Sequence, residues 1–191
     1  MKNLILTIAF LLGVTTMNAQ TEKGFKEINV QQDFTENGFS YFTGAPILAA
    51  GDSVRHNAMT IGWGAIGNVW GMKRPTMTVY VAPQRYTHDF MDKAKYFTVM
   101  DFANPEIARY LGSHSGRDGD KAKALGLHVA YTKNGTPYYK EATSVMECEI
   151  MYAEDMKAEN FRNEVPKRQY KNFPAGIHTM YIGEVVGAWK K

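Results

Sequence analysis

An alternation of apolar and polar side chains is the strongest pattern in this chain. In the segment SVMECEIMY, Met146, Cys148 and Ile150 fall on one face of an extended chain, and Glu147 and Glu149 fall on the other. A period of two residues predicts a β-strand. Five other segments are rich in β-branched, aromatic or apolar residues and also predict strands: YFTGAPILAAG (41–51), RHNAMTIGWG (55–64), TMTVYVAP (76–83), YFTVMDF (96–102) and HTMYIGEVVGAW (178–189).

Three short helices are predicted between these strands. The first spans residues 87–94 with Thr87 as its N-cap, the second spans 105–111 with a proline in its first turn, and the third spans 118–125 and ends at Gly126. Strands without regular helical crossovers predict an antiparallel sheet, and its simplest form is a barrel. We therefore expect a mainly β fold with a few flanking short helices.

The N-terminal segment follows a different pattern. Lys2 precedes an apolar run, Leu4–Val14, which is too short to span a bilayer, and Ala19 suits the position before a cleavage site. We interpret residues 1–19 as a secretory signal peptide and residues 20–191 as one domain. The mature chain is then expected in the periplasm, without membrane insertion after the signal is cleaved.

Charge and cysteine content argue against several classes of partner. The formal net charge of the 191 residues is +3, and removing Lys2 lowers it to +2 (3 − 1), which is too small to favour nucleic acid or an anionic membrane surface. Cys148 is the single cysteine, and its place in an alternating strand predicts a buried small side chain rather than a nucleophile. No cysteine and histidine pair has the spacing of a zinc site, so no metal is predicted.

The segment GWGAIG, Gly62–Gly67, matches the glycine pattern of a dinucleotide-binding turn. Such a turn requires a full helix directly after it, but Gly71 and Pro75 leave no room for one of useful length. The glycines are better interpreted as bends in a barrel wall and as points where a ligand can approach the backbone closely.

Four segments carry a more specific resemblance. NAMTIGWG (57–64), APQRYTHDF (82–90) and GSHSGRDGDK (112–121) occur in this order, and HTMYIGEV (178–185) follows them. In order and spacing they resemble the flavin reductase-like family with the FMN-binding split barrel, and its flavoredoxin-like branch in particular. The resemblance implies a six-stranded antiparallel Greek-key split barrel, FMN as the cofactor, and a homodimer with FMN near its interface.

The first segment suits the ring and the ribityl chain of FMN. It supplies strand backbone with few bulky side chains, and Trp63 provides a flat wall for an aromatic ring. The alternative is that Trp63, like Trp70, packs in the core. The candidate cofactor-binding residues of this segment are Asn57, Met59, Thr60, Ile61, Gly62, Trp63 and Gly64.

The two turns that follow suit the phosphate. Arg85 can donate two hydrogen bonds to a phosphate, and Thr87 offers a hydroxyl where a helix is predicted to start. A solvated turn with an ordinary N-cap, and a surface loop after it, would explain the same residues. The candidates are Arg85, Tyr86, Thr87, Ser115, Gly116, Arg117 and Asp118, with Lys121 as a weaker one.

Three histidines lie in or beside these motifs. His178 begins the last strand, where the family places a residue near the flavin, and it is a candidate cofactor-binding residue. His56 and His114 flank the motifs and are interpreted as solvated loop residues. Since electron transfer is the chemistry of the flavin itself, no acid–base pair is required and no catalytic residue is assigned.

Export conflicts with the usual chemistry of the family, whose typical members are cytoplasmic and take hydride from a nicotinamide cofactor. We therefore expect an exported FMN-binding oxidoreductase whose redox donor and acceptor are not assigned. Two alternatives stay open. One is a non-catalytic flavin or electron carrier, and the other is a flavin-free interaction module on the same barrel.

Overall fold

The protein is described from a computed structural model. The structure describes residues 24–71 and 73–191, so the predicted signal peptide at 1–19 lies outside the described residues. The strands are β1 (Lys26–Glu27), β2 (Ile47–Gly51), β3 (His56–Thr60), β4 (Gly64–Asn68), β5 (Pro75–Val81), β6 (Tyr96–Asp101), β7 (Val129–Tyr131), β8 (Pro137–Tyr139), β9 (Ser144–Asp155) and β10 (Thr179–Lys190). The α-helices are α1 (Val30–Asp33), α2 (His88–Met91), α3 (Pro105–Ser113), α4 (Lys121–Ala124) and α5 (Glu164–Lys171).

Eight of the strands form one antiparallel sheet. Seven follow the order β3-β2-β6-β9-β10-β5-β4, and β1 pairs with the end of β10, while β7 and β8 form a separate two-stranded sheet. The expected mainly β, antiparallel fold is confirmed. The sheet has eight strands where six were expected, and no ladder joins β3 to β4 among residues 24–71 and 73–191.

The strand count differs partly because one predicted strand is two. The segment 55–64 runs as β3 through Thr60, leaves the sheet at residues 61–63, and enters β4 at Gly64. β3 pairs with β2, whereas β4 pairs with β5 at the other end of the strand order. The segment turns at the buried Ile61 and the exposed Gly62. In this turn the chain passes from one edge of the sheet to the other.

Each predicted helix is present with different bounds. α2 and α4 are shorter than expected, and α3 extends to Ser113. The side chains of Asn104 and Asp120 accept hydrogen bonds from backbone N–H groups and cap α3 and α4. Thr87 precedes α2 without a capping bond, since its hydroxyl is engaged elsewhere. In the described part of the chain, no helix has the length and apolar character needed to cross a membrane.

The inner face of the sheet builds the larger of two apolar clusters. Along β5, Met77, Val79 and Val81 are fully buried, and Phe97 of β6 and Tyr181 of β10 pack with them. The second cluster packs α3 and the β7–β8 pair against the sheet. These contacts fix the three segments that surround the site described below.

Both faces of β9 are buried in its first half, at residues 145–148. Cys148 is completely buried, as the alternation predicted, and burial, helped by the nearby Glu147 carboxylate, raises the pKa of its thiol. Glu147 is also completely buried. It accepts hydrogen bonds from the hydroxyls of Thr132 and Thr136, both at 2.5 Å, and from the side-chain amide of Asn134 at 3.1 Å. The loop between β7 and β8 therefore covers the polar face of this strand.

Candidate functional site

Three predicted segments meet around one cavity of about 250 Å³, which we name the turn pocket. One wall comes from β3, the second from the turn between β5 and α2, and the third from the end of α3 and the loop before α4. The predicted site residues that line it are Asn57, Met59, Arg85, Tyr86, Thr87, Ser115, Gly116 and Asp118.

Two buried polar side chains join the first two walls. The Asn57 amide nitrogen donates a hydrogen bond of 2.8 Å to the hydroxyl of Thr87. Gly116 of the third wall lies so close that a Cβ there would overlap the Asn57 side-chain oxygen and the ring of Tyr86. A glycine is therefore required at residue 116 for the three walls to meet.

Lys121 lies at the base of the turn pocket. Its ammonium group donates hydrogen bonds to the carbonyl oxygens of Ala58 at 2.6 Å, Leu111 at 3.0 Å and His114 at 3.1 Å. Burial, helped by the positive charge of Arg85, lowers the pKa of Lys121 to about 8. Because an ammonium group has three hydrogens, these bonds tie β3, α3 and the following loop together and leave no donor for a ligand.

Arg85 is the exposed cation of the turn pocket. No carboxylate among the described residues pairs with it. Its charge lowers the pKa of Lys121 on one side and of His178 on the other. The turn pocket therefore holds an unneutralised guanidinium, which favours an anionic ligand.

Arg117 lies beside the turn pocket and lines the adjoining cavity. Its guanidinium pairs with Asp89 at 2.9 Å, donates to the carbonyl of Gln84 at 3.2 Å, and lies 4.8 Å from the centre of the Tyr86 ring. Arg55 donates to the hydroxyl of Tyr86 at 3.1 Å. The two arginines hold Tyr86 in position, and Arg117 does not line the turn pocket.

Four side chains with aromatic rings pack together, and we name them the aromatic cluster: Trp63, Tyr170, Phe173 and His178. Trp63 lies between β3 and β4, and the other three lie between β9 and β10. The Trp63 ring lies 4.5 Å from that of His178 and 5.9 Å from that of Phe173, which is stacked on it. The indole is 38% exposed, so Trp63 lies at the surface and not in the core. Trp70, for which packing in the core is the alternative, is 58% exposed and also lies at the surface.

His178 is the polar member of the aromatic cluster. Its Nδ1 lies 2.9 Å from the hydroxyl of Tyr170. Burial, with a smaller effect of the Arg85 charge, lowers the pKa of His178 to about 4. The imidazole is therefore neutral near pH 7 and can accept one hydrogen bond and donate another.

The remaining predicted residues of the first segment are packed within the protein. The hydroxyl of Thr60 donates to the carbonyl of Ala108 and fastens α3 to β3. Ile61 belongs to the main apolar cluster, and a Cβ at Gly64 would overlap the ring of Phe42. Only Gly62 has open space around it, with no atom within 4 Å of the position of a Cβ.

The two other histidines of these motifs lie in different settings. His114 is exposed and stacks on Tyr110 with 3.8 Å between ring centres, and it also lines the turn pocket. His56 is half-buried, and burial lowers its pKa. Within residues 24–71 and 73–191, no cluster of three His, Cys, Asp or Glu side chains has a geometry that could hold a metal.

Sequence reasoning missed three contributors. Tyr170 and Phe173 reach Trp63 from the segment between β9 and β10. Tyr170 lies in the amphipathic helix α5, and Phe173 follows the end of that helix. The aromatic pair three residues apart was the available signal. Arg55 supports Tyr86, but nothing in its local sequence distinguishes it from a solvated turn residue.

The fold is mainly β, and its turn pocket is lined by an exposed arginine and by hydroxyl groups. The chain belongs to the family of the flavin reductase like domain, whose model matches residues 39–191. No curated protein matches the chain.

Solved structures with the same fold agree with this assignment. An FMN-binding protein from Thermus thermophilus, with bound 1-cyclohex-2-enone, is 24% identical with a TM-score of 0.58, covering 77% of this chain and 70% of that chain. The flavoredoxin of Desulfovibrio vulgaris (Miyazaki F) is 20% identical with a TM-score of 0.59, covering 77% and 69%. An NADH:FAD oxidoreductase from Streptomyces globisporus C-1027 is 15% identical with a TM-score of 0.56, covering 87% of each chain.

Proposed function

We propose that this chain is an exported oxidoreductase that moves electrons through a bound FMN. The observation that carries the proposal is the turn pocket, in which the exposed Arg85 and the hydroxyl of Thr87 face a loop whose Gly116 lacks a side chain. Membership of the flavin reductase like family supports the same ligand class.

The donor set of the turn pocket fits a phosphate. Arg85 supplies a cation, Thr87 and Ser115 supply hydroxyls, and Gly116 allows the loop backbone to approach a ligand. Asp118 also lines the pocket, and its carboxylate favours the hydroxyls of a ribityl chain over a second phosphate. These residues would hold the phosphate and ribityl end of FMN.

The flavin ring must lie outside the turn pocket, because about 250 Å³ is smaller than the usual site for a ligand of this size. The open backbone at Gly62 and the exposed indole of Trp63 follow β3 directly and offer a surface for it. A ring held there would be covered by a second copy of the chain, which supports a homodimer. The family resemblance implies a closed split barrel, and we include this closure in the proposal.

The protein would orient the cofactor and control its surroundings. A bound flavin supplies the electron transfer itself. The neutral imidazole of His178, bonded to the Tyr170 hydroxyl, can donate or accept one hydrogen bond at the ring end without adding charge. Tyr170 and Phe173 limit the access of water to Trp63.

The redox partner follows from the proposed location. A protein in the periplasm meets little free NADH or NADPH, so we propose that another exported or membrane redox protein reduces the bound FMN. A flavin released as a product would be lost outside the cell, and the FMN is therefore proposed to stay bound. The alternatives are a non-catalytic electron carrier and a flavin-free interaction module.

The test uses residues 20–191 purified without added flavin. We expect a yellow protein whose bound ligand has the mass of FMN, slow reduction by NADH and NADPH, and fast reduction by a reduced dye. Trp63→Ala should shift the absorbance of the bound flavin, while the Trp70→Ala control should not. A colourless protein that fails to take up FMN would favour the interaction module, and rapid NADH-driven turnover of free flavin would restore an ordinary flavin reductase.

A further inference from the structure

His88 lies at the centre of a chain of hydrogen bonds outside the turn pocket. Its Nε2 is 2.8 Å from the Thr179 hydroxyl, and its Nδ1 is 3.2 Å from a carboxylate oxygen of Asp92. Thr179 donates its own proton to Asp155 at 2.6 Å. The other oxygen of Asp92 accepts a hydrogen bond of 2.5 Å from Tyr181.

The partners of His88 fix the proton on its Nε2. Since the Thr179 hydroxyl donates to Asp155, its oxygen can only accept from Nε2. Nδ1 makes an ion-pair contact with the Asp92 carboxylate at 3.2 Å. Nε2 is therefore the donor that links α2 to Thr179.

The bonded partners come from elements that are distant in the sequence. His88 follows Thr87 directly, and its backbone N–H donates to the Arg85 carbonyl at 2.8 Å. Asp155 is the last residue of β9, and Thr179 is the first of β10. The ring of His88 therefore fastens the turn between β5 and α2 to the place where β9 ends and β10 begins.

That place is the base of the segment 156–178, which we name the strap. The Met156 N–H donates to the His178 carbonyl at 3.0 Å and closes the base. The strap carries Tyr170, Phe173 and His178, which pack on Trp63. Trp63 belongs to the surface proposed for the flavin ring. One imidazole thus connects the two ends of the proposed flavin site.

We propose that His88 is a positioning residue that holds the turn between β5 and α2 and the base of the strap in register, so that flavin affinity depends on its hydrogen bond to Thr179. This inference rests on the proposed function. The charged groups that face the ring are Asp92 on its own helix and, through Thr179, Asp155 on β9.

The test compares FMN dissociation constants of the mature chain and its variants at one pH, measured by flavin fluorescence. His88→Ala should weaken binding on the order of tenfold, as expected for a lost hydrogen bond. His88→Gln should recover part of the affinity, because its side-chain amide restores a donor for Thr179. His128→Ala is the control, since His128 pairs with Glu141 at 2.7 Å on an exposed surface away from the turn pocket.

Thermal melting of the same variants separates positioning from folding. If His88→Ala lowers the melting temperature but leaves the dissociation constant unchanged, the positioning role is wrong. If the unmodified chain binds no flavin, the proposed function fails instead. In that case nitrogen NMR of the flavin-free chain decides the bonding of His88, because a protected Nε2–H supports it and an Nε2 without a proton contradicts it.

Discussion

The side-chain amide of Asn57 donates to the hydroxyl of Thr87 at 2.8 Å, and this bond joins the edge strand β3 to the turn that precedes α2. Both side chains are buried, with 7% and 1% exposure. The pair fixes the distance between two walls of the turn pocket, and the third wall packs closely against both at Gly116.

Gly116→Ala should therefore weaken FMN binding without unfolding the protein. The added methyl group would overlap Asn57 and Tyr86 and force the walls apart. Overpacking of this kind costs about 1–3 kcal/mol, or roughly 5- to 150-fold in affinity. Gly67→Ala is the matched control, since no atom lies within 4 Å of its Cβ position. Fluorescence titration with FMN measures both, and equal affinities would contradict the assigned pocket.

Arg85→Ala should weaken the binding of FMN much more than the binding of riboflavin. Arg85 is the unneutralised cation of the turn pocket, and a hydrogen bond to a charged group contributes about 1.5–3 kcal/mol. We expect FMN affinity to fall roughly ten- to hundredfold while riboflavin affinity barely changes. Competition titrations with the two flavins measure the difference. An equal loss for both would mean that Arg85 has a structural role and that the phosphate lies elsewhere.

Glu147 and Glu149 should differ sharply in their effect on stability. Glu147→Ala leaves the donor groups of Thr132, Thr136 and Asn134 without their acceptor, and each buried donor left unpaired costs about 1–3 kcal/mol. Glu149 pairs with Lys95 at 3.3 Å on the surface, and Glu149→Ala should cost less than about 1 kcal/mol. Urea unfolding gives both free energies, and similar values would show that Glu147 is not the anchor of the β7–β8 loop.

His178 should make the flavin-free fold sensitive to acid. Its pKa is about 4 in the folded chain against 6.5 for the ordinary imidazole, so the unfolded state binds a proton first as pH falls. The contribution to stability is complete above pH 6.5 and is lost as pH falls from 6.5 to about 4. The full difference corresponds to about 3 kcal/mol.

His178→Gln should remove this part of the pH dependence, and urea unfolding at several pH values measures it. The Tyr170→Phe variant is the control for the lost hydrogen bond, because it keeps the imidazole. An unchanged slope in His178→Gln would mean that another group dominates the acid response.

The mature chain should be a dimer in solution. A flat cofactor at the surface near Gly62 and Trp63 exposes one ring face unless a second copy covers it, and the family resemblance implies such a copy. A stable pair should bury more than about 1,000 Å². Light scattering of the FMN-bound protein measures the mass, and a stable monomer with FMN bound would contradict the proposed assembly.

The sequence by itself determined the fold class and the local segments of the site. Period-two alternation in β9 is a local property, so it predicted the strand and the burial of Cys148. The motifs around Asn57, Arg85 and Ser115 are also local, and the structure brings all three to one pocket. Their order along the chain was enough to indicate the family that the comparison shows.

Only the tertiary structure decided which side chains in those segments face the pocket. Arg117 lies within a motif but pairs with Asp89, because α2 presents a carboxylate beside it. Glu147 looked like a polar-face residue, yet it is buried because a loop from a distant hairpin covers it. The predicted strand is divided at residues 61–63 because β3 pairs with β2 and β4 pairs with β5. Pairing between strands that are distant in the sequence cannot be read from a local pattern.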